Sequence, residues 1–376
     1  MRIHTCPTLA WMVFLVFCAS AFAATPSLKD AYKADFLIGS ALGSPSSYTP
    51  AELKLITTQF DAATPEVCMK PRPIHPQEDV WRFRQADEYV DFCQKHNIAA
   101  FGHTLVWHED CPDWLFKDGD KPASRDLVLK RLKNHITTIL HRYKGRIHGW
   151  DVVNEAISDN PKEFFRQTKW LKSIGDDYVL QAFRFAQEAD PAMPLQYNDY
   201  NIESEPKRSK VIKLIRELQQ NGIHVAAVGI QGHWSLDHVP YADIDAAIDA
   251  FSKLGVKVMI TELDLDVLPR KRSGADVASR ERESRNVQPA PCPPEVLRRQ
   301  AEQYGRLFAL FLKHRDVITR VTFWGIDDAH TWLNGWPYPR YNHPLLFDRE
   351  GKPKPAFYSV IDAAHTPQRV GVFLPP

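Results

Sequence analysis

The chain has 376 residues, with 47 Lys and Arg set against 46 Asp and Glu, a formal net charge of +1. That balance gives no field for a polyanion or an anionic membrane and no like-charge block, so neither nucleic acid nor membrane is an expected partner. The 10 Trp and 12 Tyr suit the flat faces of sugars as well as ordinary cores.

The first residues, "MRIHTCPTLAWMVFLVFCASAFAATPSLKD", carry a basic start at Arg2, an apolar run from Leu9 to Cys18 and the small-residue pattern Ala21-Phe22-Ala23. This is the pattern of a secretory signal peptide over 1–23, too short to span a bilayer as a mature helix. Phe17 before Cys18 argues against a lipid-attachment site. The expectation is an exported chain, soluble after cleavage, with 24–376 as one catalytic domain.

From there short β-branched or aromatic runs alternate with longer amphipathic segments. The expected strands are 36–42 (FLIGSAL), 60–66 (FDAATPE), 99–107 (AAFGHTLVW), 147–155 (IHGWDVVNE), 193–201 (MPLQYNDYN), 224–233 (HVAAVGIQGH), 257–265 (KVMITELDL) and 318–328 (ITRVTFWGIDD). Helices are expected between them, among them 125–142, 206–220, 242–254 and 295–314, with a last one in "KPAFYSVIDAAH". The segment 267–294, rich in Pro, Arg and Ser, reads as a long loop whose arginines are solvated among Asp276, Glu281 and Glu283.

Eight such units form either a doubly wound open sheet or a closed α/β barrel. No Gly-x-Gly-x-x-Gly follows the first strand and no phosphate loop is present, so no nucleotide cofactor is expected. Almost every strand ends in polar or aromatic residues, and a barrel gathers strand C-termini on one face, where active sites form. A single (β/α)8 TIM barrel is therefore the expected fold. Four cysteines remain beyond the leader, Cys68, Cys93, Cys111 and Cys292; four thiols allow three complete pairings, and their spacing is not that of a zinc site. Cys93, on the apolar face of its helix, is expected to be a buried free thiol.

Glu155 ends the fourth strand and Glu262 lies in the seventh, so the barrel puts both on one face. Paired carboxylates across a cleft are what glycoside cleavage requires. Side chains two apart on a strand share a face. This aligns Gln231 with His233 and Glu262 with Asp264, and predicts a Glu262–His233–Asp264 network in which Asp264 sets the imidazole tautomer. By the same parity His103 and Trp107 line the cleft, and Trp324 and Trp332 follow the eighth strand. No His-Glu-x-x-His spacing occurs, so metal-assisted hydrolysis is disfavoured.

The motifs "GHTLVWH", "WDVVNEAI", "YNDYN", "GIQGHW" and "ITELDL" resemble, in order and rough spacing over essentially all of 24–376, those of glycoside hydrolase family 10. That resemblance implies a retaining endo-β-1,4-xylanase on a (β/α)8 barrel, acting on xylan or xylo-oligosaccharides; apart from it, no cofactor or metal is expected, and the chain is expected to be a monomer. It makes Glu155 the general acid/base and Glu262 the nucleophile, and gives Asn154 the sugar 2-hydroxyl. His103, Trp107, Gln231, Trp324 and Trp332 become the wall around the cleaved-bond sugar, His233 and Asp264 its support, and Tyr200 a leaving-group-side residue. One segment departs: the family's Glu-Asn-x-Met-Lys-Trp reads "EVCMKP" here. Glu66 and Lys70 match, but Val67 stands for the Asn and Pro71 for the Trp, so a hydrogen bond on the non-reducing side is expected to be lost. Two other readings are a binding protein on a degenerate barrel, which would lack a carboxylate, and a hydrolase of another β-1,4-glycan, which the Trp324 and Trp332 wall disfavours.

Overall fold

The computed structural model describes residues 26–269, 275–276 and 291–366. The signal peptide expected over 1–23 and most of the 267–294 loop lie outside the described residues.

Eight strands follow one another in chain order: β1 (Leu37–Leu42), β2 (Ala62–Pro65), β3 (Gly102–Val106), β4 (Trp150–Asn154), β5 (Leu195–Asp199), β6 (Val225–Ile230), β7 (Lys257–Asp266) and β8 (Ile318–Phe323). Neighbours pair in parallel, and β8 pairs back onto β1. The third strand is interrupted at Phe101. Its first part, Ala99–Ala100, pairs with β2, and β3 itself pairs with β4, so one interrupted strand joins the two ends of the sheet and closes the barrel. Phe101 turns into a small inner cluster with Ala62, Ala227 and Met259. Arg320 of β8 lies 3.7 Å over its ring and donates to Thr64 at 2.8 Å, so a buried cation forms part of the barrel floor. The fold is the (β/α)8 barrel that the alternation predicts.

Parallel strands covered on both faces carry nearly continuous apolar runs; β3, β4 and β5 are buried along their whole length. The outer helices match expectation closely, with Arg125–Arg142, Lys207–Gln220, Tyr241–Ser252, Pro294–Lys313 and Pro355–His365 observed. Their starts have local causes: the Ser124 side chain accepts the Leu127 amide, and Thr49 with Glu52 makes a capping box on Pro50–Gln59. The N- and C-terminal elements meet where Tyr32 donates to the Val360 carbonyl at 2.6 Å.

Expected strands 147–155 and 318–328 run past the observed ends, because the backbone leaves β geometry at Glu155 (φ 58°) and Gly325 (φ 138°). Two features escaped the periodicity: a hairpin of Lys117–Asp118 with Lys121–Pro122, and a short strand, His233–Ser235, that pairs with β7 and sets His233 opposite Asp264. Cys68, Cys93, Cys111 and Cys292 are all free thiols. Among the described residues no helix is long and apolar enough to cross a membrane.

Candidate active site

At the C-terminal ends of the strands lies a cavity with about 460 Å³ of space, lined by Glu66, Lys70, His103, Trp107, Asn154, Glu155, Gln231, His233, Glu262, Trp324 and Trp332, together with Ala275. Eleven of the thirteen site residues expected from the sequence line it, the exceptions being Asp264 and Tyr200. Val67 is half exposed beside the lining residue Glu66.

Glu155 is buried to 4 % exposure. Its Oε1 accepts from Gln231 Nε2 at 3.0 Å and Asn154 Nδ2 at 3.1 Å, and its Oε2 accepts from Trp107 Nε1 at 2.9 Å. Burial pushes this carboxyl above its ordinary range; His108 opposes the rise and Asp199 adds to it. Its left-handed backbone costs a residue with a Cβ roughly 1–2 kcal/mol. Such a conformation persists only where the surroundings impose it.

Glu262 sits at 5 % exposure. Its Oε1 accepts from Asn198 Nδ2 at 2.7 Å, and its Oε2 is 3.0 Å from His233 Nε2. The other ring nitrogen of His233 is 3.0 Å from Asp264 Oδ2, which also accepts from Trp332 Nε1 at 2.8 Å. Burial alone would raise Glu262, but the hydrogen bond and charge of His233, with His103 and Asn198, outweigh it and hold the carboxylate below its usual range. Burial likewise opposes charge on His233, yet Asp264 and then Glu262 push it up to about 9. Both ring nitrogens face carboxylate oxygens, an arrangement that favours the charged ring. The Glu262–His233–Asp264 contacts are those expected, and Asp264 favours charge on the ring that it orients.

Asn198 ties the two carboxylates together. It stands opposite Asn154 in the β4–β5 register, donates to Asn154 Oδ1 at 2.9 Å and to Glu262, and is itself held by the Thr261 hydroxyl at 2.6 Å. Asp151, opposite His103 in the β3–β4 register, lies 3.0 Å from its Nδ1. Asn198 is read from the sequence only as one of the polar residues at a strand end, and Asp151 not at all; the signal for their roles would have been strand register, since parallel neighbours face the same way at the same height. Lys70 lies 4.7 Å over the Trp107 ring. Burial raises the Glu66 carboxyl, against Lys70. Tyr200 sits behind Glu155, not on the cavity wall: it is 2 % exposed, with Lys207 3.9 Å over its ring and its hydroxyl bonded to Arg166 and Asp159.

A closed parallel barrel that presents two buried carboxylates of opposite protonation tendency to an indole-walled cavity defines the class of acid–base hydrolases acting on glycosidic bonds. The model described as glycosyl hydrolase family 10 matches residues 27–363, and the chain belongs to that family. It is similar to endo-1,4-beta-xylanase A of Xylanibacter ruminicola, 40 % identical over 344 residues that cover 89 % of this chain and 93 % of that one. Among solved structures it resembles xylanase XynB of Paenibacillus barcinonensis in complex with a conduramine derivative, at 39 % identity and a TM-score of 0.82, covering 90 % and 98 % of the two chains. A mutant structure in complex with xylotriose aligns with a TM-score of 0.83 and 40 % identity, covering 90 % of this chain and all of that one.

Proposed function

We propose that the protein is a secreted, retaining endo-β-1,4-xylanase in which Glu262 is the nucleophile and Glu155 the general acid/base. The observation that carries this reading is the opposite bias of two carboxylates in one cavity. Burial keeps Glu155 ready to donate a proton, and His233 keeps Glu262 ionised and aimed. In the first step Glu262 attacks the anomeric carbon while Glu155 protonates the departing glycosidic oxygen. In the second, Glu155 takes a proton from water, which displaces Glu262, and two inversions leave the configuration retained.

The cavity residues divide around that chemistry. Asn154, held by Asn198 on one side and bonded to Glu155 on the other, presents its amide for the sugar 2-hydroxyl, a contact able to strengthen in the transition state. His103, Trp107, Gln231, Trp324 and Trp332 wall the sugar at the cleaved bond, with Glu66 and Lys70 on the non-reducing side. Relatives that carry the name endo-1,4-beta-xylanase and the xylotriose complex of a structural neighbour support xylan as the substrate class. Export rests on the leader-like first 23 residues, and a mature chain that begins at Ala24 on N-terminal sequencing would bear it out.

The test is product analysis on β-1,4-xylan with anomeric configuration followed during hydrolysis. Short xylo-oligosaccharides of retained configuration, absent with Glu262→Ala, are the expected result. Inverted products, or full activity in the variant, would overturn the assignment.

A further inference from the structure

Glu155 is held by more than its strand. The two peptides that follow it, Ala156 and Ile157, both donate their N–H to the hydroxyl oxygen of Tyr197, at 3.1 Å each, and that hydroxyl donates to Asp199 Oδ2 at 2.6 Å. A phenol that accepts two amide protons has used its lone pairs, so its own proton has one place to go, the Asp199 carboxylate. Asp199 Oδ1 accepts from Lys207 Nζ at 2.8 Å and the Tyr200 amide at 2.9 Å. Lys207 also reaches Asp159 Oδ1 at 2.9 Å, and Asp159 Oδ2 accepts from Tyr200 at 2.7 Å and Arg166 Nη2 at 3.0 Å. Arg166 Nε then donates to the Glu155 carbonyl at 3.3 Å, and the Arg166 amide to the Ala156 carbonyl at 2.9 Å. The hydrogen bonds close a ring around residues 155–157. Its charges, Lys207 and Arg166 against Asp159 and Asp199, balance. Tyr197 and Asp199 are fully buried, Lys207 is nearly so, and none of the three lines the cavity.

We propose that Tyr197, with the Asp199–Lys207 ion pair behind it, is a positioning element for proton transfer: it imposes the left-handed turn that aims the Glu155 carboxyl at the departing oxygen. This rests on the reading of Glu155 as the general acid. Packing alone does not explain the arrangement, since a phenylalanine would fill the same space without gripping two consecutive amides. The position of a proton donor matters steeply, because displacement of a reacting group by about 1 Å costs on the order of 100-fold in rate.

The experiment compares kcat/KM for phenyl and dinitrophenyl β-xylobiosides in the full-length enzyme and in Tyr197→Phe, Asp199→Asn and Glu155→Ala. Dinitrophenolate leaves without protonation, whereas phenolate needs the acid. Tyr197→Phe is expected to lose roughly 10- to 100-fold on the phenyl substrate while the dinitrophenyl substrate stays within about 2-fold of the parent. A loss equal on both substrates marks a general structural defect and overturns the proposal, as does no loss on either. Should Tyr197→Phe fail to fold, Asp199→Asn, which keeps the phenol and weakens its acceptor, must show the same selectivity at smaller size; a uniform or absent loss there is equally fatal. Glu155→Ala separates the two readings. If it lacks the leaving-group selectivity, the acid assignment fails; if it shows it and Tyr197→Phe does not, only the positioning role fails.

Discussion

Glu155 and Glu262 are the same side chain biased in opposite directions, and the difference lies in their neighbours. The Glu155 carboxylate takes hydrogen bonds from Trp107, Asn154 and Gln231, all neutral donors, and burial raises it; the Glu262 carboxylate faces His233, whose own pKa is raised, and its pKa falls. The signs set the pH dependence. With Glu262 as the proposed nucleophile and Glu155 as the proposed acid, the first must be ionised, so the acid limb of kcat/KM is expected below the ordinary glutamate range, and the second protonated, so the alkaline limb is expected above that range. In Glu155→Ala the alkaline limb is expected to vanish while the acid limb stays, and an alkaline limb that survives the substitution would assign it to another group. Val67 tests the non-reducing side. Restoring a polar amide with Val67→Asn is expected to tighten xylotriose binding roughly 2- to 10-fold, the equivalent of about 0.5–1.5 kcal/mol for a neutral hydrogen bond. Calorimetry on the Glu262→Ala background reads this directly, and unchanged affinity would mean the side chain does not reach the sugar. At this scale much of the site was legible, because Glu262 with Asp264 and Gln231 with His233 follow from two-residue spacing within one segment. Asn198, Asp151 and Tyr197 were not, because each acts through a residue on a neighbouring strand.

The strands place these residues only because particular positions stay empty. Gly229 on β6 is such a place: a Cβ there would lie 2.5 Å from Asn198 Oδ1 and 2.7 Å from Thr261 Cγ2. Gly229→Ala therefore pushes away the amide that orients Asn154 and bonds Glu262. The expected outcome is a stability loss of roughly 1–3 kcal/mol from overpacking together with a fall in kcat/KM, read by urea unfolding and kinetics on xylan. Retention of both would show that Asn198 moves without consequence. Gly102 makes the same kind of room on β3, where a Cβ would meet the Trp150 ring at 2.2 Å. The helices given bounds from the sequence were readable within a residue or two from periodicity and capping residues. Strand ends were not, since the left-handed turn at Glu155 depends on the Tyr197 hydroxyl and the Arg166 guanidinium, which no local propensity announces.

For the molecule as a whole, the described thiols carry a prediction. Cys68, Cys93, Cys111 and Cys292 form no disulfide, and burial pushes the first three up to about 12, far from a reactive thiolate. Dithiothreitol is therefore expected to leave the thermal unfolding midpoint unchanged, and a clear drop on reduction would reveal a cross-link. By itself the sequence determined the class of fold and that Glu155 and Glu262 meet on one face. Alternation of apolar periods dictates eight βα units, and a parallel barrel brings all strand ends to one face whatever the details of packing. Only the tertiary structure decided how those carboxylates differ and what holds them. Protonation follows from burial and from charges on other strands, and the grip on Glu155 runs through residues up to about fifty positions away in the chain, whose proximity exists only once the barrel has closed.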